Sequence, residues 1–246
     1  MNKIVAIGGG ELKELETLPI DKEIVSLTGK RNPRALFIPT ASNDAEGYWK
    51  TFQEVYGKKL GCTPNVLYLI REKPTRNEIE DKILNADLIY VGGGNTLKLL
   101  KIWKKVGVDR VLKQAYENGI VISGLSAGAI CWFKYGCSDA RRFSRPEDTT
   151  FMRVSGLNLI NLTVSPHHIR EKNRDDGLIK LMKHTSGVAI ALDDNSALEI
   201  VGDTYRIINS QKEAGAKKVY YLKGKPYQDK IEIKREYHPL SDLVKK

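Results

Sequence analysis

No stretch of the 246-residue sequence stays apolar for anything near the ~20 residues that a membrane-spanning helix needs, so no membrane partner is expected. Cysteine is scarce. Cys62, Cys131 and Cys137 are odd in number and lack ligand-type spacing, which argues against a disulfide framework and against a zinc site. Met1-Asn2-Lys3 runs directly into an apolar strand, with no secretory h-region or cleavage site. Reduced thiols in a cytoplasmic protein are the expectation. A dinucleotide fingerprint is also missing: Gly8-Gly9-Gly10 follows the first strand, but Lys13 stands where the last glycine of G-x-G-x-x-G belongs. The triple glycine therefore reads as a tight loop or a close backbone approach. Neither a metal nor an organic cofactor is implied. Internal repeats and low-complexity linkers are absent as well, which favours one domain over residues 1–246.

Charge of one sign is in excess but not concentrated. Lys and Arg number 40 against 30 Asp and Glu, a net +10, spread over the whole length and interleaved with acids. The densest basic stretch, Lys212 to Lys234, reads as the solvated face of a β-hairpin. No nucleic-acid partner is expected, and the excess suits a small acidic substrate. No apolar stripe separates an interface from the core, leaving monomer and homodimer both open.

What the chain does contain is an alternation of strands and helices. Buried strands are read at 3–7, 35–39, 66–70 and 87–91, and helices at 20–27, 46–60, 75–86, 96–103 and 108–117. Thr75 and Glu78 stand at capping-box spacing. Trp49, Phe52, Val55 and Tyr56 recur at helical spacing and read as core. Such alternation implies a mostly parallel sheet covered on both faces, with ligands beyond the carboxyl ends of its strands. Residues 136–153 read as a polar surface excursion, and short strands dominate the C-terminal third.

The densest chemistry lies at Val121–Phe133. A run of β-formers meets Gly124-Leu-Ser126-Ala-Gly128, and an apolar helix-like run follows. That is strand, tight turn and helix, with a serine at the apex and small residues where backbone and side chain crowd. Backbone N–H groups opening the helix would face whatever Ser126 attacks. A serine hydroxyl needs a base and a third group to orient that base. Four histidines exist. His184 and His238 lie away from strand ends, whereas His167-His168 closes one, so one of that pair is the expected base. Asp194, after the strand 187–192, is preferred as the orienting acid over Asp139. The Ala127 N–H and the Gly94 N–H, from the loop Gly92-Gly93-Gly94, are the expected oxyanion donors. Cys131 would lie about one turn into the helix and reads as a small buried apolar residue.

Gly124-Leu-Ser-Ala-Gly-Ala129 resembles the nucleophile motif of the peptidase E family, which includes aspartyl dipeptidases and cyanophycinases. Gly92-Gly-Gly-Asn-Thr96 resembles its oxyanion loop, Ser165-Pro-His167 its histidine strand, and Leu192-Asp-Asp-Asn-Ser-Ala197 its acid-supplying segment. The resemblance runs from Ile7 to about Gly202. It favours His167 as base, with His168 standing where the family carries an aromatic. It implies an α/β, flavodoxin-like three-layer sandwich with a mostly parallel central sheet, like class I glutamine amidotransferases but with serine for cysteine at the turn. It further implies a serine peptidase acting on short peptides with an N-terminal aspartyl residue, with cyanophycinase-like β-aspartyl cleavage as the alternative. Arg170, Arg174 and Asn95 are the residues it offers for gripping the substrate.

Overall fold

The computed structural model describes residues 1–171 and 173–246. Five strands form a parallel block: β1 (Lys3–Ile7), β2 (Arg34–Ile38), β3 (Thr63–Val66), β4 (Leu88–Val91) and β5 (Val121–Leu125). Strands β1, β4 and β5 are buried along nearly their whole length, as apolar runs covered on both faces should be. One face carries α1 (Leu18–Ser26) and α2 (Glu46–Phe52), the latter continuing as a wide π-type turn over Gln53–Lys59. Here Phe37, Phe52, Tyr56 and Tyr90 stack in one apolar cluster, as the helical spacing of 46–60 anticipates. The other face carries α3 (Arg76–Leu84), α4 (Thr96–Val106), α5 (Val108–Glu117) and the short α6 (Ala127–Ile130). Thr75 caps α3 through the capping box that the sequence announces.

The strands do not form one central sheet. Beyond α6 come β6 (Phe133–Ser138), β7 (Met152–Ser155), β8 (Ile160–Ser165), α7 (Arg174–Met182) and β9 (Val188–Leu192). They are followed by β10 (Ser196–Val201), β11 (Thr204–Asn209), β12 (Ala216–Leu222), β13 (Lys225–Ile231), β14 (His238–Pro239) and α8 (Ser241–Val244). One sheet has the order β14-β11-β10-β1-β5-β4-β2-β3, and a second has β13-β12-β9-β8-β6-β7. In the first, β10 adds antiparallel to β1 and makes the sheet mixed. A single apolar cluster joins inward residues of both sheets, among them Ile4, Leu198, Leu162, Val164 and Ile190, with Trp103 and Trp132 between them. Helix α7 covers the outer face of the second sheet.

The expected polar excursion at 136–153 is partly wrong. Gly136, Cys137 and Ser138 are buried in β6, and Met152 and Arg153 belong to β7, leaving an exposed loop of arginines between them. Two connections tie the sheets together near the ends of their strands. The loop after β8 is tied to the first sheet by His167 N–H donating to Gly8 O, and to the second by His168 N–H donating to Leu192 O. The turn between β9 and β10 leaves the second sheet and enters the first, with Asn195 N–H donating to Gly9 O.

Candidate active site

Ser126 occupies the sharp junction between β5 and α6, with φ 57° and ψ −109°. A non-glycine residue is strained there, and such strain is held only where the surroundings over-determine it. Two glycines explain how. A Cβ on Gly128 would lie 2.0 Å from Val91 O, and one on Gly124 2.5 Å from Gly128 O. The helix can start against the sheet only without those side chains. The Ser126 N–H donates to Ile7 O at 3.0 Å, fixing the turn to the neighbouring strand.

His167 also has positive φ, 63°, and its ring lies between Ser126 and Asp194. The His167 Nε2 to Ser126 Oγ distance is 2.8 Å, and Nδ1 to Asp194 Oδ1 is 2.7 Å. Asp194 is 2% exposed, so its charge needs partners. Burial pushes its carboxyl up, but the hydrogen bond to His167 and the amide and charge of Arg170 outweigh that, and the net shift is downward. The Arg170 N–H donates to Asp194 Oδ2 at 3.0 Å. Serine, imidazole and carboxylate in line can pass the serine proton to the ring while the carboxylate holds the tautomer.

The two adjacent histidines divide the work. His168 is turned into the second sheet, its side chain fully buried. Its Nδ1 meets Asp175 Oδ1 at 2.6 Å and its Nε2 meets Ser165 Oγ at 2.8 Å. Burial lowers its pKa to about 4, against the opposing pull of Asp175. It is a neutral structural histidine, and of the pair only His167 reaches Ser126. Asp139 pairs with Arg142 instead, and Asp193 accepts from the Gly215 N–H.

The glycine loop after β4 closes the other side. Gly93 packs on the turn: a Cβ there would sit 3.5 Å from Ser126 Cβ. Gly94 has φ 133°, and a Cβ would meet Ala41 O at 2.4 Å, so only glycine fits. The Gly93 amide lies against the Tyr48 hydroxyl, whose pKa burial raises to about 12 despite that contact. Among the described residues, no protein acceptor takes the N–H of Gly94 or of Ala127.

The expected substrate residues are placed otherwise. Arg174 is 1% exposed; its guanidinium reaches Glu171 and Cys137 O and lies over Phe151, so it serves the packing of α7. Arg170 is committed to Glu11 at 3.2 Å and Glu16 at 2.6 Å, with its Nε 3.7 Å from Asp194. The Asn95 side-chain oxygen caps α4 by accepting from Lys98 N–H. The sequence reading missed a further residue, Gly9. A Cβ on it would fall 2.0 Å from Asp194 Oδ1 and 2.5 Å from His167 Nδ1. The triple glycine was legible as a close approach; what approaches was not.

All three cysteines are buried, and Cys131 points its Sγ at Gly128 O, with burial pushing the thiol well up. Among the described residues no group of three or more His, Cys, Asp or Glu could hold a metal ion, and no helix is long and apolar enough to cross a membrane.

Comparisons with known proteins give the family. Residues 4–208 match the model of peptidase family S51. The chain is 34% identical over 224 residues to an uncharacterized peptidase of Bacillus subtilis (strain 168), YgaJ, covering 89% of this chain and 92% of that protein. It is 29% identical over 184 residues to peptidase E of Haemophilus influenzae, covering 71% and 79% respectively. In fold it resembles the crystal structure of a peptidase from an acI-B1 actinobacterium, with a TM-score of 0.72 at 22% identity over 97% of both chains.

Proposed function

The chain belongs to peptidase family S51, and on that premise we propose that it is a serine exopeptidase that releases an N-terminal aspartyl residue from short peptides. The observation that carries the reading is the continuous chain from Ser126 Oγ through His167 to Asp194, at 2.8 and 2.7 Å, on a strained turn. Ser126 Oγ attacks the scissile carbonyl carbon while its proton passes to His167 Nε2. The carbonyl oxygen becomes an oxyanion, received by the Ala127 and Gly94 N–H groups; one such donor is worth ~10²–10³ in rate. The C–N bond then breaks, and the imidazolium returns its proton to the departing amine. Water, activated by the same ring, attacks the acyl-serine ester, and the acid product leaves as Ser126 recovers its proton. Asp194 stays ionised throughout and stabilises the imidazolium. In the same reading, β5, Ser126 and α6 correspond to the nucleophile turn of class I glutamine amidotransferases, with serine in place of cysteine.

The test is hydrolysis of a panel of Asp-X dipeptides, α- and β-linked. Turnover by the wild type that Ser126→Ala abolishes without changing the circular dichroism supports the reading. A wild type that leaves the panel intact refutes the aspartyl specificity. Labelling of Ser126 by a fluorophosphonate in that event would leave a different acyl hydrolase on the same serine.

A further inference from the structure

An aspartyl acyl group brings two charges to the site. Whether linked through its α- or its β-carbonyl, it carries one free ammonium and one free carboxylate. The arginines that the sequence offers for the carboxylate are answered by the protein's own acids. The counter-charges must therefore come from elsewhere around Ser126.

A cavity of about 480 Å³ adjoins the serine turn. Gly93 and Leu125 form one wall, and Leu125 directly precedes Ser126. The opposite wall is the segment that leaves Gly9, which itself lies against His167 and Asp194: Gly10, Glu11, Leu12 and Lys13. Tyr48 and Thr51 are also part of the lining. Among the lining residues, Glu11 and Lys13 alone bear charge at neutral pH, and they bear opposite charges. Lys13 has no ion-pair partner among the described residues. Glu11 gives one oxygen, Oε1, to Arg170 at 3.2 Å and leaves its other oxygen without a salt bridge. The cavity is roomy enough for an amino-acid residue, and it adjoins the Ser126 turn through Leu125 and Gly93.

We propose that this cavity receives the aspartyl residue, with Lys13 binding its free carboxylate and Glu11 its free ammonium. The assignment rests on the proposed aspartyl specificity and adds to it which residues impose it. It also gives an account of exopeptidase action. An internal aspartyl residue has no ammonium to offer Glu11.

The experiment measures kcat/KM for Asp-Ala, for Asn-Ala, which lacks the carboxylate, and for succinyl-alanine, which lacks the ammonium. The β-aspartyl, β-alanyl and succinyl set serves if the β-linked isomer is the better substrate. Lys13→Gln is expected to lower the ratio of Asp-Ala to Asn-Ala about tenfold, acting mainly on KM, while Lys13→Arg retains it. Glu11→Gln is expected to lower the ratio of Asp-Ala to succinyl-alanine by a similar factor. Because each readout is a ratio within one variant, a general loss through Arg170 cancels. Ratios unchanged in both variants overturn the proposal while wild-type turnover of Asp-Ala leaves the aspartyl reading standing. A wild type that cleaves neither isomer overturns both.

Discussion

Gly9→Ala is the sharpest perturbation available, because it adds one methyl group at the joint of the proposed machinery and nowhere else. That methyl would start 2.0 Å from Asp194 Oδ1 and 2.5 Å from His167 Nδ1, whereas ordinary contact begins at 3.4 Å. Relief requires the carboxylate or the ring to retreat by roughly 1 Å, which is enough to break a 2.7 Å hydrogen bond. A misplacement of about 1 Å costs ~10² in rate, and full loss of the group that orients a catalytic histidine costs ~10⁴. Gly9 does not sit in the left-handed region, so alanine adds no backbone strain. Its neighbours are site residues at the edge of the core. Accordingly kcat should fall 10²–10⁴-fold, with KM little altered and Tm lowered by only about 2–8 °C. Steady-state kinetics on the best Asp-X dipeptide, together with a thermal melt, read both. A variant that keeps wild-type kcat while folding normally would mean that the His167–Asp194 pair is not needed, and the mechanism would fall.

Three further expectations concern groups around the site. His168 has its folded pKa lowered to about 4, so its stabilising contribution is complete above its unfolded value near 6.5 and is lost as pH falls toward 4. His168→Gln, measured by urea unfolding from pH 7.5 to 4.5, should remove up to ~3 kcal/mol of that acid sensitivity, and an unchanged slope refutes the assignment. Asp21 is the opposite case: burial, against hydrogen bonds from Tyr56 and Thr17, raises its pKa to about 7, so its stabilising contribution is complete below about 3.8 and lost as pH rises to 7. Asp21→Asn should therefore gain on the wild type by about 2–3 kcal/mol between pH 5 and 8; a constant difference would contradict it. Arg170→Ala should lower kcat about fivefold with a smaller rise in KM, since its guanidinium supports Asp194 rather than substrate; a change in KM alone would return it to the substrate grip.

The parts of this fold that were legible in the sequence are those fixed by neighbours along the chain. The capping box at Thr75 and the bounds of α5 follow from local chemistry. So does the serine turn, because Gly124 and Gly128 answer a crowding that the turn itself creates. Strand β3 shows the limit. The apolar run 66–70 reads as a strand, yet pairing covers Thr63–Val66, and the chain then leaves the sheet. The Asp44 carboxylate draws it off by accepting from the N–H groups of Ile70 and Arg71. Strand β6, Phe-Lys-Tyr-Gly-Cys-Ser, has little alternation of its own and is a strand because β7 and β8 flank it. The division into two sheets is likewise decided by non-local pairing. The same holds for the site. The strand end made legible that one of two adjacent histidines should meet Ser126, and the family resemblance favoured His167; the physical ground for that choice lies in the ties to Gly8 and Leu192 across the two sheets.

The central claim is that Ser126 is a nucleophile activated by His167 and Asp194, and covalent trapping tests it most directly. The purified chain is treated with a fluorophosphonate and its adduct located by peptide mass mapping, alongside His167→Ala and Asp194→Asn. The account predicts one adduct, on the peptide containing Ser126, formed at a rate that falls at least ~10²-fold in each variant. No adduct, an adduct on another residue, or labelling of Ser126 at an undiminished rate in both variants would contradict it.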